Sequence, residues 1–101
     1  MNVKTIKERW IEDALVRRVH AAGGICEKVT TIGYRGFFDR LVILPGGKIF
    51  FVELKRPRGG RMSAHQIQRH KAYRALGGRV EIILNVADID RLIKEEGPAI
   101  S

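Results

Sequence analysis

The chain has 101 residues and a formal net charge of +8, from 19 Lys and Arg against 11 Asp and Glu. Its length predicts a single domain over residues 1–101, and 45% apolar with 30% charged residues excludes a disordered chain. No apolar run approaches the ~18 residues of a membrane span, and none follows the first lysines as in a signal peptide. The lone cysteine, Cys26, excludes an internal disulfide, so we expect a cytoplasmic protein with Cys26 buried as a small apolar side chain.

The positive charge is clustered rather than spread evenly. Four basic residues fall between Lys55 and Arg61, and more follow in the next predicted helix. Such a cluster favours a polyanion, most commonly a phosphate backbone, although a merely solvated surface is the alternative. The basic residues that we expect to contact DNA are Arg35, Arg40, Arg56, Arg58, Arg61, Arg69 and Lys71.

Seven elements are predicted along the chain. Thr5-Ile6-Lys7-Glu8 is a capping box that opens a helix, and Gly23-Gly24 ends it. Pro45-Gly46-Gly47 predicts a hairpin between two strands, and Ser63-Ala64-His65-Gln66 predicts a second capping box. The predicted bounds are helix 5–22, strands 25–31, 39–44 and 48–54, helix 63–76, strand 79–84 and helix 87–96.

Both hairpin strands are apolar on both faces, which is typical of central strands covered by helices on each side. The first helix has a core-facing stripe at helical spacing. Its tryptophan, Trp10, is expected to pack in the core, with stacking on a nucleic-acid base as the alternative. The order αβββαβα predicts an α/β fold with a compact mixed sheet flanked by helices. The stripe consists of Ile11, Ala14, Leu15, Val19 and Ala22.

The hairpin predicts a pair of opposed acids. With a three-residue turn, Leu44 pairs with Lys48, and counting outward brings Asp39 opposite Glu53. Opposed residues share a face with Cβ atoms ~5 Å apart, and alternation places Lys55 on that face one step beyond. A two-residue turn would shift this register by one.

Two acids at the end of an apolar sheet face are costly unless something compensates them. Lys55 offsets one charge, and Mg²⁺ or Mn²⁺, which bind carboxylate oxygens, would offset both. Such an ion would polarise a scissile phosphate and activate water, while Lys55 stabilises developing charge. The alternative is a structural ion pair at a strand end.

Two further residues are candidates for the same site. Glu12 lies at the edge of the apolar stripe of the first helix, which is unusual for an acid. Gln66 stands at the third position of its capping box and also begins a helical row with His70, so capping and function are both open. His70 itself is expected to be a surface histidine.

The run GYRGFFDRLVILPGGKIFFVELKRPRGGRMSAHQ resembles the stand-alone VRR-NUC nucleases of the PD-(D/E)XK superfamily, small proteins common in bacteriophages. The similarity extends upstream to IEDALVRRVHAAGG and downstream to Leu76-Gly77. It rests on a glutamate in the first helix, RG-x-x-D, PGG, E-x-K-x-P and a following S-x-x-Q. The resemblance implies a restriction-endonuclease-like core.

Each site residue has a role that the resemblance implies. Asp39, Glu53 and the Leu54 carbonyl resemble the metal ligands, and Lys55 resembles the catalytic lysine. Phe38 departs from the pattern, because it stands where the superfamily name has proline; this affects the loop's entry into the strand more than the chemistry. Glu12 and Gln66 match the catalytic first-helix glutamate and helix glutamine, with Glu12 also a candidate metal ligand.

The resemblance also implies a biological setting. Stand-alone members are similar to archaeal Holliday-junction resolvases, whose two-fold dimers suit a nearly symmetric four-way junction. We therefore expect a homodimeric, metal-dependent endonuclease for branched DNA, active in recombination and repair. A related domain in a eukaryotic crosslink-repair enzyme cuts flaps as a monomer, so flap or single-strand cutting is one alternative. A non-catalytic DNA-binding module with a structural ion network is another.

Overall fold

The computed structural model describes residues 6–30, 38–55 and 61–98. The predicted order of elements is confirmed, and their bounds differ from prediction by at most three residues at each end. The first capping box includes Thr5, which lies outside the described residues. The elements are α1 (Ile6–Ala21), β1 (Ile25–Lys28), β2 (Arg40–Leu44), β3 (Lys48–Leu54), α2 (Ala64–Ala75), β4 (Val80–Ile83) and α3 (Val86–Glu96).

The four strands form one mixed sheet in the order β1-β2-β3-β4. Strand β2 pairs antiparallel with β1 and with β3, whereas β4 runs parallel to β3. A parallel neighbour cannot be reached by a tight turn, and α2 provides the crossover. The predicted hairpin register is confirmed, since Leu44 pairs with Lys48 and Leu41 pairs with Phe51.

The core lies on the face of the sheet that α1 and α3 cover. Val42, Phe50 and Val52 project onto this face and are fully buried. The predicted stripe of α1 packs against them, with Leu15 and Val19 completely inaccessible. Cys26 is buried in the same cluster, as predicted, and burial raises the pKa of its thiol. This face is the main hydrophobic core of the protein.

Helices lie on both faces of the sheet, as predicted, but the face opposite the core is covered only in part. Tyr73 of α2 contacts Phe51 with ring centroids 5.3 Å apart, so α2 lies over β3 and β4. Away from α2, Ile25 and Ile49 are 49% and 48% exposed. The apolar residues on both faces of β2 and β3 agree with helices on each side, but one helix is too narrow to cover four strands.

A glycine ends α1, and a capping box begins α2. Gly23 has φ +84°, a conformation that glycine adopts at no steric cost, and α1 ends there. Ser63 caps α2, because its side chain accepts from the Gln66 N–H and the Gln66 side chain accepts from the Ser63 N–H. The second predicted capping box is therefore confirmed. None of the described helices combines the length and apolar character that crossing a membrane requires.

The Phe50 ring is the largest fully buried side chain of the sheet. We expect Phe50→Ala to lower the free energy of unfolding by ~3–5 kcal/mol, because it leaves a cavity between the sheet and its helices. The adjacent variant Ile49→Ala is the matched control and is expected to cost less than ~1 kcal/mol, since Ile49 is nearly half exposed. Urea denaturation of both variants measures the difference, and equal losses would contradict this placement of the core.

Candidate active site

The site forms where β2 begins and β3 ends. The Asp39 N–H donates to the Val52 carbonyl at 3.0 Å, and the Asp39 carbonyl accepts from Val29 at 3.0 Å. Its side-chain Oδ2 accepts from the Leu54 N–H at 2.8 Å. Both neighbouring chain segments thus hold Asp39, and the hairpin register brings it to the level of Glu53.

Glu53 is a buried carboxylate with only 3% exposure. Its Oε1 accepts from Gln66 Nε2 at 2.6 Å and lies 3.4 Å from Lys55 Nζ. Its Oε2 is buried and has no hydrogen-bond partner. Burial, followed by the charge of Asp39, raises the pKa of Glu53 to about 7, against the lowering effect of Lys55.

Lys55 and Gln66 complete a connected group around Glu53. Lys55 Nζ donates to Gln66 Oε1 at 3.0 Å, and that same oxygen accepts from the Ser63 N–H at 3.0 Å. The Gln66 side chain therefore joins the cap of α2 to both charged groups. Capping and contact with the acid were alternatives in the sequence, and the structure combines them in one amide.

Glu12 lies apart from this group. It is buried, and its Oε2 accepts from Arg40 Nε at 2.7 Å. Arg40 pairs with Val52 across the hairpin, so it projects onto the core face, whereas Asp39 and Glu53 project onto the face of α2. Among the described residues, no three acids, histidines or cysteines are grouped so that they could hold a metal. Glu12 thus does not join Asp39 and Glu53.

The predicted DNA-contacting residues have different surroundings. Arg40 is largely buried against Glu12 and its Nη1 donates to the Cys26 carbonyl, so its position does not support DNA contact. Arg61 and Lys71 are exposed, and the Arg69 guanidinium lies 5.8 Å from the centre of the Tyr73 ring. Arg35, Arg56 and Arg58 lie outside the described residues.

Two expectations about single residues were wrong. Trp10 is 63% exposed instead of packing in the core, and His70 is 1% exposed instead of lying on the surface. His70 follows Gln66 by one turn, and neither ring nitrogen has a hydrogen-bond partner. Burial, then the charges of Arg74 and Lys55, lowers the pKa of His70. The sequence signal for this burial was the spacing of Gln66 and His70, which puts both residues on the same face of α2.

Phe38 explains how the chain enters β2 without the proline of the superfamily name. It is buried and its ring centroid lies 4.5 Å from that of Phe51 and 5.9 Å from that of Tyr73. The aromatic cluster fixes the residue before Asp39 by packing. Phe38 therefore supplies by side-chain contact the positioning that proline supplies through a restricted backbone.

Comparisons with known proteins place this geometry in a family. The chain is 42% identical over 91 residues to "Putative nuclease p44" of Acyrthosiphon pisum secondary endosymbiont phage 1, covering 90% of this chain and 96% of that protein. A solved structure described as "VRR_NUC domain" has a TM-score of 0.82 and 33% identity, covering 91% of this chain and 99% of its own. The chain belongs to the phage-type VRR-NUC nucleases. No protein-family model matches the sequence.

Membership in the VRR-NUC family establishes that the protein is a nuclease, and the geometry of the site shows which residues lie together. The VRR-NUC chain is a nuclease with the α/β fold that its sequence predicted. The structure brings together four of the predicted site residues and separates Glu12 from them. Those four are Asp39, Glu53, Lys55 and Gln66.

Glu53 gives the metal-free protein a specific pH dependence. Its folded pKa of about 7 lies above the ordinary value of 4.5, so the folded state binds the proton more tightly than the unfolded state. The contribution of Glu53 to stability is thus full below about pH 4.5 and is lost as the pH rises to about 7, by an amount on the order of 3 kcal/mol.

Urea denaturation in EDTA between pH 4.5 and 8 measures this effect. We expect Glu53→Gln to gain stability relative to the wild type as the pH rises, because glutamine has no proton to lose. The variant Glu95→Gln is the control, since Glu95 is exposed on α3. Parallel pH profiles for the wild type and Glu53→Gln would show that Glu53 does not titrate in this way.

Proposed function

We propose that this VRR-NUC nuclease is a Mg²⁺- or Mn²⁺-dependent endodeoxyribonuclease that hydrolyses phosphodiester bonds in branched DNA. We propose further that it acts as a homodimer on four-way junctions, in recombination and repair within the cytoplasm of a bacterial host. The observation that carries the catalytic part is the buried Glu53 carboxylate, with one oxygen unpartnered and with Asp39 and Lys55 beside it.

The donor atoms fit a hard divalent cation. A buried carboxylate oxygen without a partner costs free energy unless a ligand satisfies it, and Glu53 Oε2 is such an oxygen. Asp39 supplies a second carboxylate whose charge already acts on Glu53. With the Leu54 carbonyl as a third oxygen, this donor set is the kind that Mg²⁺ or Mn²⁺ uses together with water.

The site residues have different roles around the scissile phosphate. A bound divalent cation supplies charge neutralisation at the phosphate and lowers the pKa of an attacking water. Lys55 brings a fixed positive charge to the same place and stabilises the negative charge that develops on the phosphate oxygens. Gln66 holds both Lys55 and Glu53 at hydrogen-bond distance, which fixes the two charged groups relative to one another.

The nature of the substrate is supported by charge and by symmetry. A net charge of +8 favours a phosphate backbone, and Arg61 just before α2 and Lys71 within α2 are both exposed. A homodimer presents two identical sites, and a four-way junction presents two strands to cut. Resolution of junctions therefore follows if two chains associate about a two-fold axis.

Lys55 provides the direct test of catalysis. We expect Lys55→Ala to reduce Mn²⁺-dependent cleavage of a labelled four-way junction by at least a hundredfold, while junction affinity changes less than threefold, because the charge acts on the transition state. Lys94→Ala is the control, since Lys94 is an exposed lysine on α3. Cleavage that persists in EDTA, or that survives Lys55→Ala, would contradict the proposal.

Ser63 and Gln66 separate the cap from the chemistry. Ser63→Ala removes the hydroxyl that accepts from the Gln66 N–H, so we expect a loss of ~1 kcal/mol in unfolding free energy with near-normal cleavage. Gln66→Ala also removes the contacts with Glu53 and Lys55, so cleavage should fall at least tenfold. Rates measured well below the melting temperature of both variants make the comparison, and equal rates would reduce Gln66 to a capping residue.

The dimer and the substrate need separate measurements. We expect light scattering to give twice the mass of one chain and a panel of branched substrates to show four-way junctions cut fastest. A monomer that prefers flaps would replace junction resolution by flap cutting and would leave the catalytic proposal intact.

A further inference from the structure

Trp10 is an exposed aromatic side chain that the proposed chemistry does not use. It is 63% exposed on α1, while the buried stripe of that helix runs through Leu15 and Val19. A single exposed apolar residue is ordinary in a folded protein. The position of this one, its charged neighbours and its flat indole ring give it a specific use.

The position of Trp10 follows from how α1 lies along the sheet. A Cβ atom on Gly23, just after α1, would lie 3.5 Å from Pro45 in the hairpin turn. The N-terminal half of α1 therefore lies at the opposite end, where Glu12 contacts Arg40 at the start of β2. Trp10 is thus at the same end of the sheet as Asp39 and the end of β3.

The direction of Trp10 follows from helix geometry. Successive residues turn by about 100°, so Trp10 and Glu12 project from nearly opposite sides of α1. Because Glu12 faces the sheet and contacts Arg40, Trp10 faces away from the sheet and into solvent. The indole therefore lies on the outer surface of α1, at the end of the sheet where β2 begins and β3 ends.

The neighbours of Trp10 on this surface favour an anionic ligand. Arg9 precedes it and Arg17 lies two turns further along the same side of α1, and both are exposed. Asp13, also exposed, supplies one negative charge between them. An aromatic ring flanked by two arginines is the combination that binds single-stranded nucleic acid, by stacking on a base while the cations contact phosphates.

We propose that Trp10 is a stacking platform for an unpaired base in a DNA strand that runs past the active-site end of the sheet. The inference rests on the proposed function insofar as DNA is the ligand. In a continuous duplex both faces of each base are already stacked, so the indole selects a strand with an unpaired base. The ligand class is therefore DNA that exposes an unpaired base, as a strand can at a branch point, rather than a continuous paired duplex.

The test uses the fact that Trp10 is the single tryptophan of the chain, so indole fluorescence reports on this site alone. The protein is the full chain carrying Lys55→Ala, titrated with a fork that has a single-stranded arm and with a fully paired duplex of equal length. We expect the fork to quench the emission strongly and the duplex to leave it nearly unchanged.

Variants of Trp10 measure the contribution to affinity by anisotropy of labelled DNA. We expect Trp10→Leu to weaken fork binding about tenfold and duplex binding less than twofold, because stacking on one base is lost. Trp10→Phe should restore most of the fork affinity. Leu76→Ala is the matched control, since Leu76 is 89% exposed after α2, and it should change neither affinity.

The outcomes separate this inference from the nuclease proposal. If the fork binds without quenching the Trp10 emission, and Trp10→Leu binds the fork with full affinity, the stacking proposal is overturned. Metal-dependent cleavage by the wild type would still support the nuclease proposal. An emission that shifts with protein concentration in the absence of DNA would mean that a second copy covers Trp10, which also overturns the platform. Absence of both binding and cleavage in the wild type would overturn both proposals.

Discussion

The burial of one carboxylate is the constraint on which the site depends. Glu53 sits near the end of an apolar strand with 3% exposure, and Asp39 across the hairpin adds a second negative charge. An uncompensated acid in such a place would destabilise the fold. Lys55 and Gln66 satisfy one oxygen of Glu53, and the other remains unpartnered. The fold thus tolerates a buried carboxylate oxygen without a hydrogen-bond partner, and this is the oxygen that the proposed divalent cation would satisfy.

The elements around Glu53 each have a structural role that also serves the site. The three-residue turn sets the register that brings Asp39 level with Glu53. The cap of α2 fixes the Gln66 side chain, whose oxygen accepts from the Ser63 N–H and from Lys55 together. A helix needs partners for its first N–H groups in any case. Because the same amide meets that need and holds both charged groups, α2 cannot shift at its N-terminus without disturbing the acid.

The sequence predicted those parts of the structure that local rules control. The hairpin register followed from turn length and strand alternation, and the second capping box followed from Ser63 and Gln66. Trp10, His70 and the Glu12–Arg40 pair depend instead on which helix covers which face, and periodicity does not report this. Helical spacing predicted the buried stripe of α1 correctly. For Trp10, the apolar character of tryptophan suggested burial, but the side chain is exposed. For His70, the polarity of histidine suggested exposure, but the side chain is buried where α2 packs on the sheet.

The Glu12–Arg40 pair weighs against Glu12 as a ligand of the proposed metal ion. Both side chains are largely buried on the core face and contact one another at 2.7 Å, while Asp39 and Glu53 project onto the other face. Removing one partner from a buried ion pair typically costs ~3–5 kcal/mol of stability. Glu12 could therefore bind a metal only by leaving Arg40, at a comparable loss of stability. The simpler assignment keeps Glu12 with Arg40, where the pair neutralises two buried charges and anchors α1 to the start of β2. The proposed cation would then have two carboxylates and a carbonyl as its protein ligands, which would leave coordination positions open for water and phosphate oxygens.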